Sequence, residues 1–268
     1  MQGGKESESH VFILADMGPA LEVVGHVDGL GLDERIYSVR FMGDMGYVVT
    51  FRQVDPLYVL DLSTPRAPRM TGELKVPGYS SYMHPIGNDH LLTIGRDATE
   101  TGQVQGLQFQ IFDVSDPNDP RLAQKTVLEE GVGGHSEAEY DHHAFNYLPS
   151  KGLLALPISG WISAEAEGHP FGSYGSRLVL FDVDVEFGVT PVGAVSHDAL
   201  IQEAADDEAC GYGLHAPIKR SVFMDEFLYS ISSVGVQAHH IRALNEGAVG
   251  DVLFSNQASL DGARNCGF

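Results

Sequence analysis

Two stretches of this chain carry the same apolar run closed by the same turn. They are Leu57-Tyr58-Val59-Leu60-Asp61-Leu62-Ser63-Thr64-Pro65-Arg66-Ala67-Pro68 and Gln108-Phe109-Gln110-Ile111-Phe112-Asp113-Val114-Ser115-Asp116-Pro117-Asn118-Asp119-Pro120, and their aspartates stand 52 residues apart. Asp and Ser side chains bond nearby backbone N–H groups, and Pro presets φ while ending the strand. A third copy, Leu178-Val179-Leu180-Phe181-Asp182-Val183-Asp184 with Pro191 beyond it, follows 69 residues later. In a fourth unit the turn is lost at Ile241-Arg242-Ala243.

Other strands keep step with this repeat. Tyr47 to Phe51, His90 to Ile94, Leu153 to Leu156 and Leu228 to Ile231 hold one place in successive units, each after a tight turn. The turns are Gly43-Asp44, Gly87-Asn88, Pro149-Ser150 and Met224-Asp225, and Gly-Asp and Gly-Asn are hairpin signals. Met70 to Val76, Leu122 to Leu128 and Thr190 to Val195 supply a further strand after the turn. One unit is then four short antiparallel strands over about 50 residues, the pattern of a β-propeller blade. The expected fold is all-β. A half-blade spans residues 11–34, with Gly25 aligned to Gly72, and blades begin near 35, 80, 141 and 215. Residues 1–10 are expected to be a disordered N-terminus and 255–268 a C-terminal tail. About four and a half blades make an incomplete ring, so self-association through open sheet edges is expected.

Composition narrows the function classes. The formal net charge of −21 repels phosphate backbones, so no nucleic-acid partner is expected. No apolar run reaches the length of a membrane span, and the polar start of the chain has no signal-peptide character. Cys210 and Cys266 are either one bridge or two free thiols. Patterns for a serine nucleophile elbow, a phosphate loop, a dinucleotide fingerprint and standard zinc motifs are absent.

Twelve histidines are present. His142 and His143 stand beside Asp141, and imidazole with carboxylate suits divalent metals, zinc or calcium. If each unit opens with the innermost strand, Arg40, His84, Asn146 and Ser221 are equivalent, and strand alternation turns Arg40, His84, His142 and His215 toward one channel. The bland expectation is a polar, water-filled channel with no firm cofactor. Asp182, Asp184 and Glu186 alternate at a strand end and are either a weak calcium set or a solvated edge. His239 and His240 are adjacent on a strand, so one faces in and one out. The insertion from Trp161 to Ser176 holds Trp161 and Tyr174 and is either a recognition loop or a cover on the core.

Glu34 to Phe41, Tyr47 to Leu57, His84-Pro85, Ile94 to Ala98, Phe112 to Pro117, Ser136 to Phe145 and Arg220 to Met224 resemble the secreted prokaryotic β-propeller family distantly related to WD-repeats. The resemblance covers most of Glu34 to Ile241. It implies the C-terminal portion of a longer exported bacterial or archaeal protein, at the cell envelope or outside it, with no established enzymatic activity. Two functions are carried forward. One is a non-catalytic platform that binds a protein or glycan through rim loops, by Arg40, Trp161 and Tyr174. The other is a metal-dependent enzyme using His84, His142, His143, His215 and Asp141.

Overall fold

A computed structural model describes residues 7–51, 55–99, 101, 103–128, 134–162, 173–204 and 216–254. Both terminal expectations fall largely outside this set, as do His215, Cys210 and Cys266. The chain divides into two compact units, residues 1–127 with 185–188, and residues 128–184 with 189–268.

The first unit holds ten strands: β1 (Ser9–Asp16), β2 (Leu21–Leu30), β3 (Arg35–Met42), β4 (Met45–Phe51), β5 (Asp55–Asp61), β6 (Arg69–Val76), β7 (Tyr79–Ile86), β8 (His90–Ala98), β9 (Val104–Asp113) and β10 (Arg121–Val127). They form three antiparallel sheets, each a meander in chain order: β1-β2, β3-β4-β5-β6 and β7-β8-β9-β10. The middle strands are apolar on both faces because both faces are covered. In β5, Leu57 and Val59 join one buried cluster with Met83, Leu91 and Phe112, while Tyr58 and Leu60 join another with Val27, Leu30 and Val48.

The repeated turn has a defined chemistry. Asp61 Oδ1 accepts from the Ser63 N–H at 3.0 Å and from its hydroxyl at 2.6 Å, and Asp113 Oδ1 accepts from the Ser115 N–H at 3.0 Å. A β-turn follows in each copy, with Ala67 N donating to Thr64 O at 2.8 Å and Asp119 N to Asp116 O at 3.1 Å. Pro65 and Pro117 occupy the second position of these turns, where their fixed φ fits. Each turn seats on a glycine of the preceding sheet. A Cβ on Gly25 would lie 2.2 Å from Pro65 O and 2.8 Å from Pro68 Cδ; one on Gly72 would lie 2.4 Å from Pro117 O and 2.8 Å from Pro120 Cδ. The shared register of Gly25 and Gly72 is therefore a packing requirement. It makes β2 the counterpart of β6.

The second unit holds β11 (His135–Ser136), β12 (Asn146–Leu148), β13 (Leu153–Ile162), β14 (Ser173–Asp184), β15 (Gly188–Ser196), the helix α1 (Asp198–Ala204), β16 (Arg220–Met224), β17 (Phe227–Ile231), β18 (Gly235–His240) and β19 (Gly250–Leu253). One sheet runs β11-β13-β14-β15, with β12 also paired to β13, and the other runs β16-β17-β18-β19. Leu178, Leu180, Val195, Ile218, Leu228 and Ile241 form its main core, and α1 adds a smaller one of Leu200 and Ala204 with Ala216 and Val234.

The turn expected to be lost in the fourth unit persists in altered form. Leu62, Val114, Val183 and Ile241 each donate their N–H to the hairpin loop before the second strand, at Asp44, Asp89, Gly152 and Glu226, over 2.8–3.0 Å. That bond aligns His240 with Asp61 and Asp113. His240 Nδ1 accepts from the Arg242 N–H at 3.2 Å, the bond the aspartates make to Ser63 and Ser115. An imidazole lone pair thus stands in for the carboxylate. The proline turn itself is replaced by a 3₁₀ turn over Leu244–Glu246, whose Leu244 lies against Gly193 of β15.

Candidate functional site

The first strand of the sheet β11–β15 is split. His135 and Ser136 pair with Ser159 and Ile158, and pairing resumes only at Asn146 with Ala155. Residues 137–145 are extruded between these points. Pro157 sits on β13 at the break, where a residue without an N–H costs the ladder nothing. Its carbonyl is satisfied instead by the buried Ser136 hydroxyl at 2.7 Å.

Caps hold the extruded segment. Ser136 and Glu139 form a capping box around the 3₁₀ turn Glu137–Glu139, and Asp141 caps the turn His142–Ala144 by accepting from the His143 N–H at 3.0 Å. Asp141 Oδ1 also meets His143 Nδ1 at 2.9 Å, and Oδ2 accepts from Arg220 Nη2. The bonds from His143, with the Arg220 charge, hold the Asp141 carboxyl down to about 2. The His142 and His143 rings lie 4.0 Å apart, and Lys219 pairs with Glu137 at 3.6 Å. Tyr140, between the two turns, is 81% exposed. Among the described residues, Asp141, His142 and His143 are the set of three metal-capable donors that gathers.

Beside this segment the β13–β14 ladder, ten pairs long, exceeds every other among the described residues. The expected insertion is strand at both ends: Trp161 pairs with Tyr174 and Ile162 with Ser173. The Trp161 side chain and residues 163–172 lie outside the described residues. Tyr174 is exposed, and its hydroxyl reaches His135 Nδ1 at 3.2 Å.

Arg40 and His84 do come together, in the first unit. Arg40 donates to Met83 O at 3.1 Å and to the Tyr82 hydroxyl at 3.0 Å, and that hydroxyl meets His84 Nδ1 at 3.3 Å. Burial and the Arg40 charge lower the His84 imidazole to about 4. The Arg40 guanidinium repels a cation, and among the described residues no group of three metal-capable donors gathers at His84. Asn146 and Ser221, the expected equivalents, bond each other at 3.1 Å in the second unit.

His197, to which the sequence pattern assigns no role, is buried, and so is His239. His197 bonds Ser232 through Nδ1 and Ser230 through Nε2, each at 2.8 Å. This resembles a nucleophile–base pair, but His197 and Ser230 are at most 1% exposed, so no substrate reaches them. The network is core. His240, by contrast, is half-buried against Phe227, so the two adjacent rings face opposite sides as expected. Asp182 lines an open groove of about 610 Å³ with Lys151, Arg242 and Ile241; its cationic neighbours oppose calcium there. Tyr140, Arg220 and Tyr82 were missed. The run Glu-Ala-Glu-Tyr-Asp-His-His, an aromatic set among charges, carried a signal for the first of these.

Residues 1–244 match the family described as a beta propeller domain, and the chain belongs to that family. An uncharacterised protein of Archaeoglobus fulgidus is 44% identical over 163 residues, which are 60% of this chain and 24% of the relative. Another, from Methanocaldococcus jannaschii, is 44% identical over 137 residues, 51% of this chain and 21% of the relative. The chain thus spans about a quarter of the length of these relatives. A solved protein of Lactobacillus plantarum superposes with a TM-score of 0.50 at 13% identity, over 92% of this chain and 65% of its own. Chaetomium thermophilum Sqt1, solved bound to the N-terminus of ribosomal protein L10, gives a TM-score of 0.43 at 11% identity, over 87% and 65%. The first of these structural likenesses speaks to fold alone. Among the described residues no helix is long and apolar enough to cross a membrane.

Proposed function

We propose that this chain is a non-catalytic binding platform of an exported or cell-surface prokaryotic protein, and that it contacts a protein or glycan through rim loops. The observation that carries this reading is Tyr140, 81% exposed on a backbone pinned by a capping box on one side and an Asp cap on the other. A rigid, exposed aromatic loses little entropy on binding, and aromatic anchors dominate recognition energies. Tyr174 and His135 extend the surface with a second aromatic contact. The family resemblance supports export. The partner class is tested on a glycan array and against peptides from envelope proteins, with wild type and the double variant Tyr140→Ala/Tyr174→Ala compared. Binding that the variant loses, with an unchanged circular dichroism spectrum, supports the reading. A ligand bound equally by both would place recognition elsewhere.

A further inference from the structure

We infer that Asp141, His142 and His143 form a solvent-open site for a first-row divalent cation such as zinc or cobalt, held by two imidazoles and one carboxylate. The inference is independent of the binding-platform reading.

The geometry comes first. One ligand atom from each of the three residues lies within 4.8 Å of the others. Ligands bonded at about 2.0–2.1 Å to zinc stand roughly 3–3.5 Å apart, so the set closes by a contraction of about 1–2 Å or less. The backbone beneath is tied by its own bonds. Ala144 N donates to Asp141 O at 3.0 Å, Phe145 N donates to His142 O at 3.1 Å, and Ala144 anchors the turn with no exposed surface. Asp141 and His143 already touch at 2.9 Å. That spacing is close to the separation of two ligands on one ion, so the ion takes the place of the proton between them, with His143 binding through Nδ1 and keeping its proton on Nε2.

The donor chemistry then selects the ion. Two imidazoles suit zinc, cobalt, nickel or copper, whereas calcium takes six to eight oxygens. Of the two ions the sequence left open, zinc fits this set and calcium does not. His143 is exposed, so three protein ligands leave coordination positions to water or to a partner's side chain. The opposing term is Arg220. Its guanidinium sits on the other carboxylate oxygen, repels a cation and shares the ligand. Arg220 therefore sets the affinity.

The test uses the full chain without a histidine tag, stripped with chelator and titrated with cobalt(II). Visible d–d absorption reports binding, and zinc displacement and metal analysis report stoichiometry. One cobalt per chain is expected, displaced by zinc. His142→Ala and His143→Ala should each weaken binding by about 10-fold or more. Asp141→Asn, which preserves an N-cap, should weaken it comparably, and Arg220→Gln should tighten it several-fold. Circular dichroism checks the fold of each. No uptake at millimolar cobalt, or wild-type binding by the His142→Ala/His143→Ala double variant, overturns the site. Weaker binding by folded Arg220→Gln also overturns it, because the guanidinium would then be supporting the ion.

Discussion

The first unit repeats itself and the second departs from its own pattern, although both are built from antiparallel sheets of strands in near chain order. In the first, β7 pairs with β8 from Tyr79 with Arg96 to Ile86 with His90, with one bulge between Ser80 and Tyr82. In the second, β11 and β12 cover β13 in two pieces, with nine residues, 137–145, looped out between them. The first unit closes its strands with Asp-x-Ser and proline; the second uses Asp182 without the prolines' spacing and then His240. Near-continuous pairing keeps the chain extended along the sheet and leaves little to present. The broken strand instead presents Tyr140, His142 and His143 on a short capped loop. The difference teaches that chemistry gathers where the repeat is interrupted, because only there can several side chains from adjacent positions face the same way.

The comparison breaks most sharply at Gly72. Gly72→Leu drives a side chain into the Pro117 carbonyl and the Pro120 ring, so the repeated turn cannot seat. A loss of about 3 kcal/mol or more is expected in urea unfolding, since backbone cannot yield as a side chain can. A loss under about 1 kcal/mol would show that the turn and the sheet are not interlocked.

Acid acts on both units in the same direction. Burial, followed by the charge of His239, holds His197 down to about 4, below the ordinary imidazole value of 6.5. The unfolded chain therefore takes up the proton first. Stability is complete above about pH 6.5 and falls as the pH drops toward 4, by roughly 2–3 kcal/mol for this one group. Asp198, whose charge pulls the other way, and the serine bonds moderate the loss. His84 in the first unit contributes with the same sign. Thermal unfolding at pH 7 and pH 4.5 should show the drop, and His197→Gln should flatten it. A pH-independent wild type would mean that His197 reaches water.

The split strand provides a smaller effect. Ser136→Ala removes the donor to Pro157 O and the cap on Ala138 N, both buried. A loss of about 1–2 kcal/mol is expected, with the Tyr140 surface disordered before the sheet. Equal loss of the whole unit would mean the loop is part of the core. Smallest of all, Lys151→Met breaks an exposed pair with Glu226 at 2.7 Å and should cost under about 0.5 kcal/mol, fading further in high salt.

Much of the fold was legible because turns are local. Asp61, Ser63, Pro65 and Pro68 lie close enough in sequence to dictate their own geometry, and their recurrence at Asp113 to Pro120 dictated the sheet. The hairpin loops carried the sheet β16–β19 even where the motif changed. The site was less legible. The clustering of Asp141, His142 and His143 could be read, since they are consecutive. Arg220, which pairs with Asp141 from 79 residues away, could not. The pairing of Arg40 with His84 followed from register, but the Tyr82 hydroxyl between them did not, because alternation assigns faces and not side-chain reach.

The sequence by itself determined an all-β chain of repeated meanders, their hairpins and the turns that close them, because these depend on period-two alternation and on residues a few positions apart. The tertiary structure decided which glycines must stay bare, that His240 takes over an aspartate's bond, and which histidines are core and which are surface. His197 and His142 are the same residue type in similarly polar stretches. Only the packing of Ser230 and Ser232 around one, and the extrusion of residues 137–145 beneath the other, sets one ring in the interior and the other in water.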